Sequence, residues 1–263
     1  MKVKMSKIIA VHSYKGGTGK TLLAVNLAAA FAKHGKKVCL FDLDFRAPSL
    51  STIFKVENAE CWLNDYLNGT CEINKVLIDL SSSTHGNGKF FVSLANPATE
   101  AIRDMSAKDR KWEMRALGRL LSLRNTLLND KEFDYLIFDT SPGLQYSSIN
   151  AIVTADLVVV ATTSDRSDVD GTRRMLRELY NLFEKKTGLV LNKVLDSASK
   201  SKKEEMHSKV KTIYQVPMLG LVPCFCEILR AEGNHIFVQD KPDHPFTKIV
   251  DEIAKKIESN EVN

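Results

Sequence analysis

Cysteine is scarce: five occur in 263 residues, Cys39, Cys61, Cys71, Cys224 and Cys226. The number is odd and no C-x-x-C spacing occurs, so neither a disulfide framework nor a structural zinc site is expected. Cys39 lies within an apolar run and reads as a small core residue. Long hydrophobic runs are also missing. No stretch approaches the roughly 18 apolar residues of a membrane span, and Ile8 to Val11 is only strand length. The opening M-K-V-K-M-S-K is basic but leads into no signal-type apolar region. Charge of one sign is missing too, since 37 basic against 32 acidic residues leave only +5. So small a surplus permits contact with nucleic acid or anionic lipid without demanding either. No internal repeat occurs, and Ser81 to Gly88 (S-S-S-T-H-G-N-G) is the one low-complexity stretch, read as a mobile loop. These absences predict a cytoplasmic, reduced protein. With 44% hydrophobic residues and no linker signal, a single domain over 1–263 is expected.

What is present is an alternation of strand and helix. Strands are expected at Ile8–Val11, Val38–Phe41, Phe90–Leu94, Tyr135–Phe138, Leu157–Ala161, Leu189–Leu191 and Leu219–Val222. Helices are expected from Thr21 to about His34, with Gly35 as the stop, and from about Ser106 to Leu128. Further helices are expected near 146–154, 168–184, 203–214 and 246–259. Strands apolar at every residue and separated by helices indicate an α/β fold, a mostly parallel sheet with helices on both faces. Asp42, Asp139, Asn192 and Pro223 each fall just after a strand, where open α/β sheets bind ligands.

The segment Lys15 to Thr21 reads K-G-G-T-G-K-T. Gly16, Gly17 and Gly19 let the backbone turn so that N–H groups, including those of Thr18 and Leu22, converge on an anion. The helix that begins near Lys20 adds its positive end. Lys20 supplies a point charge for the β- and γ-phosphates of ATP, and the Thr21 hydroxyl suits Mg²⁺. The pattern G-x-x-x-x-G-K-[ST] is not fully met: Tyr14 fills the slot of the first Gly, and Lys15 follows it.

With that departure the loop resembles the deviant Walker A of the MinD/ParA ATPases, Lys15 taking the place of the signature lysine. Phe41 to Leu50 (F-D-L-D-F-R-A-P-S-L) is similar to the family's switch segment, and Tyr135 to Gly143 (Y-L-I-F-D-T-S-P-G) to its Walker B and second switch. Leu191 to Lys193 (L-N-K) resembles the strand whose Asn reads adenine. Cys61 to Gly69 resembles a family helix-and-turn, and Pro242 to Phe246 the start of the last helix. The resemblance implies a P-loop ATPase using ATP/ADP and Mg²⁺. It implies that Lys15 contacts the phosphates of a second copy, and that Lys20 and Asp44 serve catalysis, Asp44 orienting the attacking water. Thr21, Asp42 and Asp139 would hold Mg²⁺, while Asn192 and backbone near Pro223 would hold adenine. It further implies a homodimer in the ATP state, a protein partner that stimulates hydrolysis, and a role in spatial positioning at a division site, on chromosomes or plasmids, or at a surface. DNA and membrane both stay open as that surface, which would make the protein peripheral at a membrane or nucleoid.

Two alternatives stand beside this reading. A metal-cluster carrier or maturation ATPase hinges on Cys224 and Cys226, whose C-F-C is one residue tighter than C-x-x-C. An ATP-binding scaffold would need nucleotide without turnover, against the presence of Lys15, Asp44 and Asp139. A tyrosine kinase of similar motif would carry a tyrosine-rich tail, which is lacking. The C-terminal stripe Phe246, Ile249, Val250, Ile253 and Ile257 is narrow and lacks Trp, so it is expected to dock on the core rather than on a membrane. The lysine–glutamate run Lys200 to Lys211 is expected to be an exposed helix face.

Overall fold

The computed structural model describes residues 6–261 apart from 84–85, 181–182, 196–199, 232 and 234. The chain starts with β1 (Lys7–His12), α1 (Lys20–Lys33), β2 (Lys37–Leu43), α2 (Leu50–Ile53) and α3 (Leu63–Asn68). Next come β3 (Ile78–Asp79), β4 (Lys89–Ser93), α4 (Thr99–Ser106), α5 (Arg110–Leu123), β5 (Tyr135–Thr140) and α6 (Tyr146–Thr154). The second half holds β6 (Leu157–Thr162), α7 (Arg166–Met175), β7 (Lys186–Val194), α8 (Lys200–Tyr214) and β8 (Met218–Pro223). It ends with α9 (Cys226–Arg230), α10 (Phe237–Asp240) and α11 (Pro245–Glu258). The strands form one sheet in the order β3-β4-β2-β5-β1-β6-β7-β8. All neighbours run parallel except β3 with β4.

The burial follows from the connections. Parallel strands need crossovers that cover both faces, and β5 and β6 are accordingly buried at every residue. One core layer joins α1 and α11 to the sheet, and others lie under α3, α5 and α6 and under α7 and α8. Helix α1 is buried at every residue from Leu23 to Ala32, because its alanines let the sheet and α11 approach it from two sides. Chain order reverses at β1, which lies between β5 and β6. The loop after β1 therefore opens at the topological switch point, where the carboxyl ends of strands diverge and leave a crevice.

Three expectations need correction. The helix expected from about Ser106 to Leu128 starts at Arg110 and runs through α5 into a further helical stretch over Arg124–Asp130, while α4 is a separate helix before it. Asp109 sets that start by accepting a hydrogen bond from the Trp112 N–H at 2.8 Å, an N-cap. A short antiparallel edge strand, β3, was not legible, since two residues carry no period. Cysteine is not wholly unpaired: Cys61 and Cys71 form a disulfide, with Cα atoms 6.6 Å apart. Their ten-residue separation is no recognised pattern, but α3 and its Gly69 turn fold the ends of the segment together. Cys39 is buried, while Cys224 and Cys226 are exposed thiols.

Within Ser81 to Gly88, Ser81–Ser83 form a helical turn, and 84–85 lie outside the described residues. So do the first five residues of the basic N-terminus, the last two of the C-terminus, and 181–182 within the helix read to 184. Helix α8 turns Glu204, Glu205, Lys209 and Lys211 outward, as read; the side chains of 200–203 lie outside those described. No helix among the described residues is long and apolar enough to cross a membrane.

The C-terminal stripe docks inside. Phe246, Val250, Ile253 and Ile257 are at most 1% exposed and pack on α1 and β8, with Ile249 partly buried beside them. Truncating Ile253 to Ala is expected to cost about 2–4 kcal/mol in urea denaturation. A loss below about 0.5 kcal/mol, the usual range for surface positions, would contradict this docking.

Candidate functional site

The loop between β1 and α1 is shaped by two left-handed glycines, Gly17 (φ 74°) and Gly19 (φ 93°). Gly19 is also the N-cap of α1, and a Cβ there would collide with the Asn192 amide. Ser13 closes the turn from inside by donating its hydroxyl to the Lys15 carbonyl at 2.6 Å. Gly16, Gly17 and Lys15 are exposed, whereas Thr18 and Lys20 are buried. This is an anion cradle: exposed backbone N–H groups in a tight turn, a helix N-terminus and a lysine at its base. Thr21 and Leu22 follow in the first turn of α1, both partly buried.

Register brings the aspartates to the same edge. Asp42 of β2 pairs directly with Asp139 of β5, so their carboxylates end side by side at the crevice floor. Asp42 is fully buried and accepts the N–H groups of Asp44 at 3.1 Å and Leu50 at 3.3 Å. Burial first, and then Asp139, pushes its carboxyl well above the usual range. Asp139 is 1% exposed, and neither of its oxygens finds a hydrogen-bond partner. Burial lifts its pKa to about 7; the Thr21 hydroxyl and Lys20 pull it down and Asp44 adds to the rise. Burial also lowers the Lys20 ammonium, against the raising effect of Asp139, Asp44 and Asp168.

Orphaned carboxylate oxygens beside a threonine hydroxyl are a hard oxygen donor set, the kind a divalent cation such as Mg²⁺ takes. Thr21, Asp42 and Asp139 come together at this floor. Asp44 stands at the rim, partly buried, accepting the Ser141 hydroxyl at 2.8 Å and the Ala47 N–H at 3.3 Å.

Asn192 was expected just after a strand but lies within β7, near its carboxyl end, and Pro223 is the last residue of β8. In this structure the Asn192 amide is turned inward and donates to the Thr18 carbonyl at 2.7 Å, while its Oδ1 accepts the Lys193 N–H at 2.8 Å. No local pattern announces that contact, which ties β7 to the phosphate loop. Lys15 points away from its own cradle: its ammonium meets Asp165 at 3.0 Å and the Ser167 hydroxyl at 2.7 Å, at the start of α7. Asp165 caps α7 through the N–H groups of Ser167 and Asp168. Ser141, Asp165 and Ser167 were missed by sequence reasoning. Only the D-x-S-D string of Asp165 to Asp168, an N-cap signature, could have flagged one of them. No group of three or more His, Cys, Asp or Glu side chains placed to hold a metal gathers among the described residues, Cys224 and Cys226 included.

The buried carboxylate makes a stability prediction. Between pH 3.8 and about 7 the folded state holds a proton on Asp139 that the unfolded chain releases, so this group's contribution falls as pH rises through that window. Asp139→Asn is therefore expected to stabilise the nucleotide-free protein at pH 7.5 by about 2 kcal/mol, with little gain near pH 4. Urea denaturation at the two pH values checks it, and no gain at pH 7.5 would contradict it.

Known proteins resemble this chain in sequence and fold. The family model described as AAA domain matches residues 6–196. An ATP-binding protein of Methanocaldococcus jannaschii is 28% identical over 256 residues, covering 96% of this chain and 88% of its own length. The septum site-determining protein MinD of Thermotoga maritima is 26% identical over 257 residues, with 96% and 88% covered. Among solved structures, MinD of Pyrococcus horikoshii, determined in complex with Mg-ADP, superposes with a TM-score of 0.77 at 22% identity over 98% of both chains. At that identity the superposition speaks for the fold. The chain belongs to the AAA-domain family and, within it, to the MinD/ParA P-loop ATPases.

Proposed function

We propose that this protein binds and hydrolyses ATP, dimerises in the ATP state, and works as a positioning switch. The observation that carries the proposal is the division of labour between its two lysines. Lys20 is buried at the base of its own cradle, whereas Lys15 lies exposed on the rim, held by Asp165 and Ser167. A lysine at that place is poorly set for its own chain's phosphates and well set for those of a facing copy. A second copy would complete each site by contributing its own Lys15.

The chain's residues divide the work as phosphoryl transfer requires. The N–H groups of Gly16 to Leu22 hold the phosphates, and Lys20 offsets charge on the β- and γ-oxygens. Thr21, Asp42 and Asp139 would hold Mg²⁺, which supplies further charge neutralisation when bound. Asp44, steadied by Ser141, orients the attacking water. Asn192 reads adenine after leaving the Thr18 carbonyl, with backbone near Pro223 as the pocket's edge. The named septum site-determining relative supports a role in spatial positioning. The proposal places the switch in the cytoplasm, with a protein partner that stimulates hydrolysis and a DNA or membrane surface on which the dimer acts.

Phosphate release from Mg-ATP tests the activity. The intact chain is expected to turn over, and Asp44→Ala to lose about a hundredfold in rate while still binding nucleotide. Equal rates in the two proteins would remove Asp44 from its role, and no turnover by the intact chain would overturn the ATPase reading.

A further inference from the structure

His12 is a titratable side chain with no part in the scheme above. It is the last residue of β1, fully buried, directly ahead of the phosphate loop. Its two ring nitrogens meet two different partners: Nδ1 the Tyr180 hydroxyl, and Nε2 the Gly143 carbonyl at 2.9 Å. A neutral imidazole offers one donor and one acceptor. The Gly143 carbonyl can only accept, so Nε2 carries the proton, and Nδ1 accepts from the tyrosine. Burial keeps the ring neutral, its pKa pushed down to about 4 with Lys20 adding to the fall and the Gly143 carbonyl opposing it. Burial likewise pushes the Tyr180 hydroxyl up, which keeps it a donor. The surroundings therefore fix one tautomer and one ring orientation.

Gly143 lies in the loop that leaves β5 after Asp139. It is held from both sides: its N–H donates to the Ser13 carbonyl at 2.9 Å, and its carbonyl accepts from His12. Its φ of 75° is a left-handed conformation suited to glycine. Two residues earlier Ser141 reaches Asp44, and the Ser141 carbonyl accepts the Ser148 hydroxyl at 2.7 Å. Residues 141–143 thus form a short clip, fixed to β1 at one end and to Asp44 at the other. Tyr180 anchors the far side from the end of the helical stretch that continues α7. Helix α7 itself lies close to the loop at Gly171, where a Cβ would collide with the Tyr14 ring.

We infer that His12 is a positioning residue for hydrolysis: through Gly143 it sets the clip, and through Ser141 the clip sets Asp44 for the attacking water. The inference rests on the role of Asp44 proposed above. It separates two effects that a purely structural histidine would not separate. Nucleotide affinity depends on the cradle, to which the His12 ring makes no hydrogen bond, whereas turnover depends on where Asp44 stands.

The test uses the full chain with steady-state phosphate release across ATP concentrations and binding of a fluorescent ADP analogue. In His12→Asn the amide sits near the Nδ1 position and falls short of Gly143; in His12→Gln it reaches the Nε2 position. The expected result is a loss of about tenfold or more in kcat for His12→Asn, with KM and ADP affinity within about twofold. His12→Gln should recover most of that kcat. Ser141→Ala should reproduce the loss, and the double variant with His12→Asn should be little worse than either alone, since both act through one clip. Tyr180→Phe, which keeps the ring and packing, is expected to lower kcat with KM unchanged, and it covers the case in which the histidine variants fail to fold. Unchanged kcat in His12→Asn, equal losses in the Asn and Gln variants, or a loss in KM alone would overturn the inference. Absence of turnover in the unaltered chain would overturn it together with the ATPase reading, and that control alone tells the two failures apart.

Discussion

Two carboxyl groups buried side by side are the constraint on which the rest of this structure depends. Asp42 and Asp139 end neighbouring strands side by side, and both Asp139 oxygens are buried without a hydrogen-bond partner. Such an arrangement costs stability and persists where function requires it. The sheet places these groups, the phosphate loop delivers Lys20 and Thr21 beside them, and the burial that makes the site costly also strengthens every electrostatic interaction within it. A bound cation and nucleotide would relieve the cost, so ligand binding and stability are linked in one site.

Around that floor the structure builds a set of ties between elements far apart in sequence. Asn192 grips the Thr18 carbonyl, Ser141 grips Asp44, and His12 spans from Tyr180 to Gly143. Lys15 is pinned to the cap of α7. Two of these ties, those of Asn192 and Lys15, must break if the residues take the roles proposed for them. Under the proposed function, these two local ties hold Asn192 and Lys15 until nucleotide and a second copy take their place.

Much of this was legible beforehand because it is written in contiguous residues. The glycine spacing of Lys15 to Thr21, the wholly apolar strands and the aspartates just after them each need only a short window. Seven of the eight strands could be read, and so could the docking of the C-terminal stripe. The failures have physical reasons. Strand β3 is two residues long, and the start of α5 after Asp109 depends on a single side-chain cap within a helical pattern. Cys61 and Cys71 meet only because α3 folds between them. His12 and Tyr180 lie 168 positions apart, and no local pattern announces that a strand's last residue will bond a distant helical tyrosine.

The central claim is that each nucleotide site is finished by the Lys15 of a second copy. Mixing two inactive variants tests it most directly: Lys15→Ala and Asp44→Ala, combined before Mg-ATP is added. In a mixed dimer, the site on the Lys15→Ala protomer keeps its own Asp44 and receives an intact Lys15 from the partner. The account predicts recovery of about a quarter of wild-type phosphate release, since half the dimers are mixed and each has one working site. If Lys15 serves its own chain, the mixture stays as inactive as its parts, and the claim fails.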